Sequence, residues 1–360
     1  MRQERIVDET MLETLKILSP GTPLREGLEN ILRARTGAII VIGDSQQVLN
    51  LVDGGFFINN EYSPSQLYEL AKMDGAIVVS KDLKKVLYAN ALLIPDPSIP
   101  TEETGTRHKS AERVAKETGE VVICISQRRN IITLYKDTIK YILKDTPTIL
   151  IRANQALQTL EKYKAVLDSA TNNLSVAELE DVVTLDSVAM VIQRTEMVMR
   201  VAVEIDRYIC ELGNEGRLVS MQLEELISNI EEDGALVLED YLINTENKNI
   251  EEVKKQIRLF SYNELMDLSS ICRAMGYHGS GSSELNVTPR GFRILSKVPR
   301  LPMTLARKIV GEFHHLQSIL KASIEELDEV EGIGEVRARS IKEGLKRFQE
   351  QIMTDKKIFR

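Results

Sequence analysis

A chain of 360 residues, 43% hydrophobic and 28% charged, exceeds one ordinary core and has a globular composition, so two or three domains are expected. No apolar run reaches the roughly 18–20 residues that a membrane span needs, and the charged start MRQERIVDETMLETL lacks a secretory-signal core. Three scattered cysteines (Cys124, Cys210, Cys272) without a CxxC predict reduced thiols in a cytoplasmic protein and no structural zinc. The net charge of −8 is uneven: about −1 over residues 1–150, −12 over 151–288 and +5 over 289–360. An acidic middle and a basic tail imply separate tasks, with the tail suited to a polyanion.

Residues 1–146 alternate strand and helix patterns. The β-branched runs GAIIVIG (37–43), GAIVVS (75–80), EVVICIS (120–126) and NIITLY (130–135) predict mostly buried strands. PSQLYELAKM (64–73) and SAERVAKETG (110–119) predict amphipathic helices, the second ended by Gly119. Strands flanking SQRRN (126–130) predict a hairpin. The whole reads as an α/β layer domain, a mixed sheet flanked by helices.

Residues 147–286 read as an all-α linker or spine. Long helical spacing continues through ILIRANQALQTLEKYKAVLDSATNNL and then from Val176 to about Ile230, almost without Gly or Pro. YHGSGSSELN (277–286) reads as a flexible boundary. Its GSGSS is not followed by Gly-Lys-Ser/Thr, so it is not a phosphate-binding P-loop.

Residues 287–360 contain an internal repeat. LSKVPRLPMTLARKI (295–309) superposes on LDEVEGIGEVRARSI (327–341) at an offset of 32. Leu295 falls on Leu327, Val298 on Val330, Leu301 on Ile333, Ala306 on Ala338 and Ile309 on Ile341. Each copy predicts a short helix, a tight turn and a second helix whose small alanine allows close packing.

Three stretches carry candidate chemistry. In TGTRHKSAER (104–113), Thr106, Arg107, His108, Lys109 and Ser110 gather hydroxyls and cations where a helix begins. That end of a helix favours an anion, and arginine matches phosphate oxygens with a planar fork; alone, the stretch is equally a capped, solvated helix start. In KMDGAIVVS (72–80), Asp74 and Gly75 precede a buried strand. That pattern is usually a plain turn, but the carboxylate could also bind Mg²⁺ or Mn²⁺ or draw a proton from a sugar hydroxyl. In the tail, Gly332-Ile333-Gly334 frees a hairpin backbone to approach a ligand. The following helix start, with Arg337, Arg339 and Lys342, suits a nucleic-acid backbone read without sequence preference.

Leu327, Val330, Gly332, Ile333, Gly334, Ala338 and Ile341 resemble the helix-hairpin-helix family in its tandem, junction-binding form. Arg300 and Pro302 replace the two glycines in the first copy, which implies a weaker or purely structural half. A protein-binding module without DNA is the other reading of such a tail. Asp74-Gly75-Ala76, followed by the Arg107-His108 run, resembles the diadenylate cyclase domain. PGTPLREGLENILRARTGAIIVIG (20–43) and VDGGFFIN (52–59) are similar to that family's opening. Together the three segments resemble the family of DNA-integrity-scanning diadenylate cyclases.

The resemblance implies condensation of two ATP into cyclic di-AMP and two pyrophosphates, slowed when branched, junction-like DNA occupies the tail. It implies Asp74 as metal ligand and activator of the 3′-hydroxyl. Thr106 to Ser110 would hold the phosphates, with Arg107 and His108 also stabilising the transition state. Gly75, Ala76 and Leu93 would flank the nucleoside, and Ser126 and Arg128 are further phosphate candidates. It also implies a homo-octamer with cyclase domains face to face, and no membrane. Lys109 stands where the family writes arginine, keeping the charge but losing the fork. A head that senses nucleotide without turnover is the alternative. A nuclease or glycosylase would need a carboxylate cluster beside the tail, which the sequence lacks.

Overall fold

The computed structural model describes residues 13–243, 249–278 and 285–358. They divide into two compact units: the chain up to Gln155 with Asp206–Ser220, and Ala156–Ile205 with the chain from Met221.

The first unit is built on α1 (Pro23–Arg33), β1 (Ala38–Ile42), α2 (Gln46–Asn50), β2 (Val52–Asp53), β3 (Phe56–Glu61), α3 (Pro64–Leu70), β4 (Ala76–Val79) and β5 (Lys85–Leu93). It continues through α4 (Thr106–Thr118), β6 (Val121–Ser126), β7 (Ile131–Lys136) and β8 (Ile139–Ile142). The strands form one mixed sheet in the order β2-β5-β4-β1-β6-β7-β8, with β3 also paired to β5. β1 and β4 run parallel, whereas β6 lies antiparallel to β1. Helices flank this sheet, as the sequence predicts.

The apolar runs are continuous because both faces of β1 and β4 are covered. Ile40, Ile77 and Ile123 pack with Leu28 and Ile31 of α1 and Leu67 of α3. Their neighbours Ile39, Val78 and Val122 pack with Ala111, Val114 and Ala115 of α4. Burial of each large side chain contributes about 2 kcal/mol. Thr22 and Ser63 cap α1 and α3, each followed by proline, and Gly119 ends α4 at φ 70°. The sequence reading did not include β2, β3, β5 or β8.

Register decides where a site can form. Ile39 pairs with Ala76, Ala38 with Ile125 and Ala76 with Ala91. The starts of β1 and β4 and the ends of β5 and β6 therefore share one edge of the sheet.

The helical region runs through α5 (Thr146–Glu180), α6 (Leu185–Leu212), α7 (Arg217–Ile227), α8 (Ile230–Tyr241), α9 (Ile250–Arg258), α10 (Tyr262–Met266) and α11 (Leu268–Ala274). The run expected from Val176 to Ile230 is interrupted at Asp181, which adopts φ 59°, and again by a 3₁₀ turn at Gly213–Gly216. The GSGSS stretch (279–283) lies outside the described residues.

The second unit ends in α12 (Phe292–Ser296), α13 (Met303–Phe313), α14 (Leu316–Lys321), α15 (Ile324–Asp328) and α16 (Glu335–Ile358). The repeat is structural. Leu301 N donates to Val298 O and Ala306 N to Pro302 O, as Ile333 N does to Val330 O and Ala338 N to Gly334 O. Arg300 and Gly332, 32 residues apart, both take positive φ, 63° and 89°. Ala306 and Ala338 are buried in one shared core.

The first copy is anchored on α5 and α8. Arg293 is buried, ion-paired with Glu178 and bonded to Ser175 Oγ at 3.0 Å. The Asp240 carboxylate accepts the amides of Gly291 and Phe292 at 2.7 Å and of Arg293 at 3.0 Å. Lys297 pairs with Asp233, and Arg307 with Glu239.

Candidate active site and nucleic-acid interface

Asp74 and Gly75 lead into β4 at the shared sheet edge. The Asp74 side chain is wholly exposed, and its Oδ1 accepts from Arg107 Nη2 at 3.0 Å. Gly75 has φ 119°, and a Cβ there would stand 2.8 Å from the carbonyl carbon of Asn90. Only glycine meets both demands. Arg107 reaches across Gly37 just before β1, where a Cβ would lie 2.2 Å from its Nη1. Ala76 is buried at the start of β4, and Leu93 is buried at the end of β5.

Gly105 caps α4 without a side-chain hydrogen bond, and the first turn carries no acid. Lys109 N donates to Gly105 O at 2.9 Å, so the amides of Thr106, Arg107 and His108 precede the first intrahelical bond. These amides and the helix dipole favour an anion. The side chains of Thr106, Arg107 and Lys109 are exposed and that of Ser110 is half-buried. Ser126 ends β6 at the same edge, where its Oγ accepts Arg129 N at 3.3 Å, and Arg128 is exposed. Asp74 and Arg107, 33 residues apart in sequence, are thus brought into contact.

His108 faces inward. Its Nδ1 lies 2.8 Å from Tyr135 Oη, which donates to Glu103 Oε1 at 2.7 Å. Lys140 pairs with the same carboxylate. Burial alone would raise Glu103, but the hydrogen bonds from Lys140 and Tyr135 outweigh it and hold the group below its ordinary value. Burial lowers His108, opposed by Glu103 and aided by Arg129 and Lys140. His108 Nε2 is buried without a hydrogen-bond partner among the described residues. The sequence reading missed Gly37, Glu103, Tyr135 and Lys140. A Tyr135↔Lys140 strand register would have pointed to the last two.

In the tail, Gly332-Ile333-Gly334 forms the second hairpin. The Ile333 side chain is buried and its amide donates to Val330 O. A Cβ at Gly334 would meet nothing within 4 Å, so the backbone there is open to approach. Arg337 Nη1 donates to Gly332 O at 2.8 Å, closing the turn, and Arg339 pairs with Glu335 at 3.0 Å. Lys342 Nζ bonds Leu320 O at 2.8 Å and also Ala322 O. Two of the ammonium's three protons therefore serve the end of α14.

Three family models match in chain order. They are the DisA bacterial checkpoint controller nucleotide-binding region over residues 25–139, the linker region of the same controller over 143–284, and the helix-hairpin-helix motif over 298–351. The chain is 62% identical over 353 residues to the DNA integrity scanning protein DisA of Acetivibrio thermocellus, covering 98% of both chains. The chain belongs to the DisA family. It is also 58% identical to the protein of the same name from Clostridium botulinum strain Loch Maree, over 99% of this chain and all of that one. The relative from Clostridium kluyveri is 58% identical over 357 residues, again 99% of this chain. Among the described residues, no helix is long and apolar enough to cross a membrane.

Proposed function

We propose that the head is a diadenylate cyclase that joins two ATP into cyclic di-AMP and releases two pyrophosphates. The tail binds branched, junction-like DNA through its backbone, and bound DNA slows synthesis. The observation that carries this reading is the Asp74–Arg107 contact beside an acid-free helix start with no side-chain cap, in a chain with this family's head and tail.

Each 3′-hydroxyl must attack the α-phosphate of the other nucleotide, so two heads have to meet face to face, and a homo-octamer supplies such pairs. Positioning and charge stabilisation carry most of a phosphoryl transfer. Arg107 and the first amides of α4 offset charge growing on the phosphates, assisted by Lys109, Ser110, Ser126 and Arg128. Gly75, Ala76 and Leu93 seat the nucleoside. Asp74 orients the 3′-hydroxyl and favours loss of its proton.

The residues fit Mg²⁺ or Mn²⁺. Arg107 contacts one Asp74 oxygen and leaves a second hard donor. Among the described residues no three His, Cys, Asp or Glu side chains form a metal cage. One carboxylate plus substrate phosphates is the usual arrangement for such an ion. Bound there, it would screen the triphosphate and acidify the 3′-hydroxyl.

The test is chromatography of products from ATP and metal, with and without branched DNA, for wild type and Asp74→Asn. The expected result is cyclic di-AMP that falls as DNA is added, and none from Asp74→Asn with DNA binding intact. ATP binding without product would sink the cyclase reading in favour of a nucleotide-sensing DNA binder.

A further inference from the structure

Behind the first turn of α4, His108 is backed by a chain of polar groups that the cyclase reading does not use: Tyr135, Glu103 and Lys140. Proton counting fixes its direction. An ionised carboxylate only accepts, and a phenol has one proton to give. Glu103 is held ionised by Lys140 and lies 2.7 Å from Tyr135 Oη, so it accepts the phenol's hydrogen bond. Towards His108 the phenol oxygen can then only accept, and the imidazole must donate from Nδ1 across 2.8 Å. In neutral imidazole Nε2 is then a bare lone pair. The Cδ2 edge next to that nitrogen lies 3.8 Å from where a Cβ on Gly105 would sit. Nε2 itself is buried close to the helix cap and has no hydrogen-bond partner among the described residues, an acceptor still lacking a donor.

We infer that Glu103 and Tyr135 are positioning residues that lock His108 in the Nδ1–H form, so that Nε2 meets the nucleotide as an acceptor. This rests on the cyclase reading and alters one part of it. Arginine and amides donate to phosphate, whereas His108 accepts from a hydroxyl. The charged groups acting on the ring are Glu103, Arg129 and Lys140. The acid and both cations lie on the loop before α4, the β6–β7 turn and β8. A similar outer partner fixes the tautomer of metal-bound histidines, where its loss typically costs about 10–100-fold in affinity or activity, and an effect of that order is expected here.

The experiment uses full-length protein labelled with ¹⁵N-histidine, His108 being assigned by its disappearance in His108→Gln. Wild type should show a protonated Nδ1 and an unprotonated Nε2. Tyr135→Phe removes the acceptor, and Glu103→Ala frees the phenol to turn its proton towards Nδ1. Both should move the proton to Nε2 and lower kcat about 10–100-fold with little change in KM for ATP. Two variants guard against one failing to fold. A wild type already protonated at Nε2, or variants that keep both tautomer and kcat, would overturn the relay. A wild type with the Nδ1–H form that makes no cyclic di-AMP would instead sink the cyclase reading alone.

Discussion

Two helices of this chain open on a glycine where an anion site is proposed, α4 after Gly105 and α16 after Gly334. They are built for different tasks. The first turn of α4 holds no acid and carries the cations Arg107 and Lys109, the first of which crosses to Asp74. The first turn of α16 contains Glu335, which neutralises Arg339, while Arg337 is turned back onto its own hairpin. Under the proposed function, charge is concentrated where a phosphate would be held in one geometry for reaction and diluted where a backbone would be gripped and released along its length. A site made mostly of amides binds many sequences with similar strength.

The largest expected effect tests the concentrated end. Arg107→Ala should cut cyclic di-AMP synthesis on the order of a thousandfold, as loss of a guanidinium on a developing phosphate charge does. DNA binding in a gel-shift assay should not change. A loss of both would mean that the two helix starts do not work as separate sites.

Gly334→Pro tests the diluted end. Pro302 occupies the matching place in the first hairpin with the same hydrogen-bond pattern, so the fold tolerates the ring. The substitution removes one amide that could meet a phosphate, and a hydrogen bond to a charged group is worth about 1.5–3 kcal/mol. DNA affinity should fall roughly 10–100-fold, with synthesis in the absence of DNA unaltered. Unchanged affinity would show that the hairpin amides are not the grip.

Lys109→Arg asks how far the concentrated site is already optimal. The exposed lysine offers a point charge, whereas arginine adds a fork. One further hydrogen bond of about 1 kcal/mol predicts a KM for ATP about fivefold lower at similar kcat. A fall in kcat would mean that the lysine is tuned to this site.

The same contrast explains what the sequence made legible. β1, β4, β6 and β7 are continuous apolar runs because helices cover both faces, and such runs are plain to read. β5 alternates burial along KVLYANALL and bends at Asn90, with φ 51°, so no uniform pattern marks it. The helix break at Asp181 uses neither Gly nor Pro, and periodicity runs straight through it. Asp74 and Arg107 were readable because their short motifs are polar where a fold has no need of polarity. Tyr135 was not, because a tyrosine ending a buried strand looks like core. Its role depends on a partner 27 residues away in sequence. Lys342, a cation that reads as DNA-facing, also bonds the end of α14, a structural task that its sequence position does not reveal.

The smallest effect separates backbone shape from grip. Arg300 holds a left-handed conformation that Gly332 adopts freely, at a cost of about 1–2 kcal/mol for an L-residue. Arg300→Gly relieves that strain but loosens the unfolded chain by about 0.5–1 kcal/mol. The net should be a stabilisation of roughly 0.5 kcal/mol, seen as a higher denaturant midpoint at constant slope. DNA affinity should stay where it was or fall slightly with the lost charge. Restoring the turn glycine leaves Pro302 in place, and a hairpin without that N–H cannot offer the amide. The surrounding cations Lys297 and Arg307 also stay bound to Asp233 and Glu239 of α8. Tighter DNA binding by Arg300→Gly would mean that conformation, rather than the amide and free charge, separates the anchoring hairpin from the gripping one.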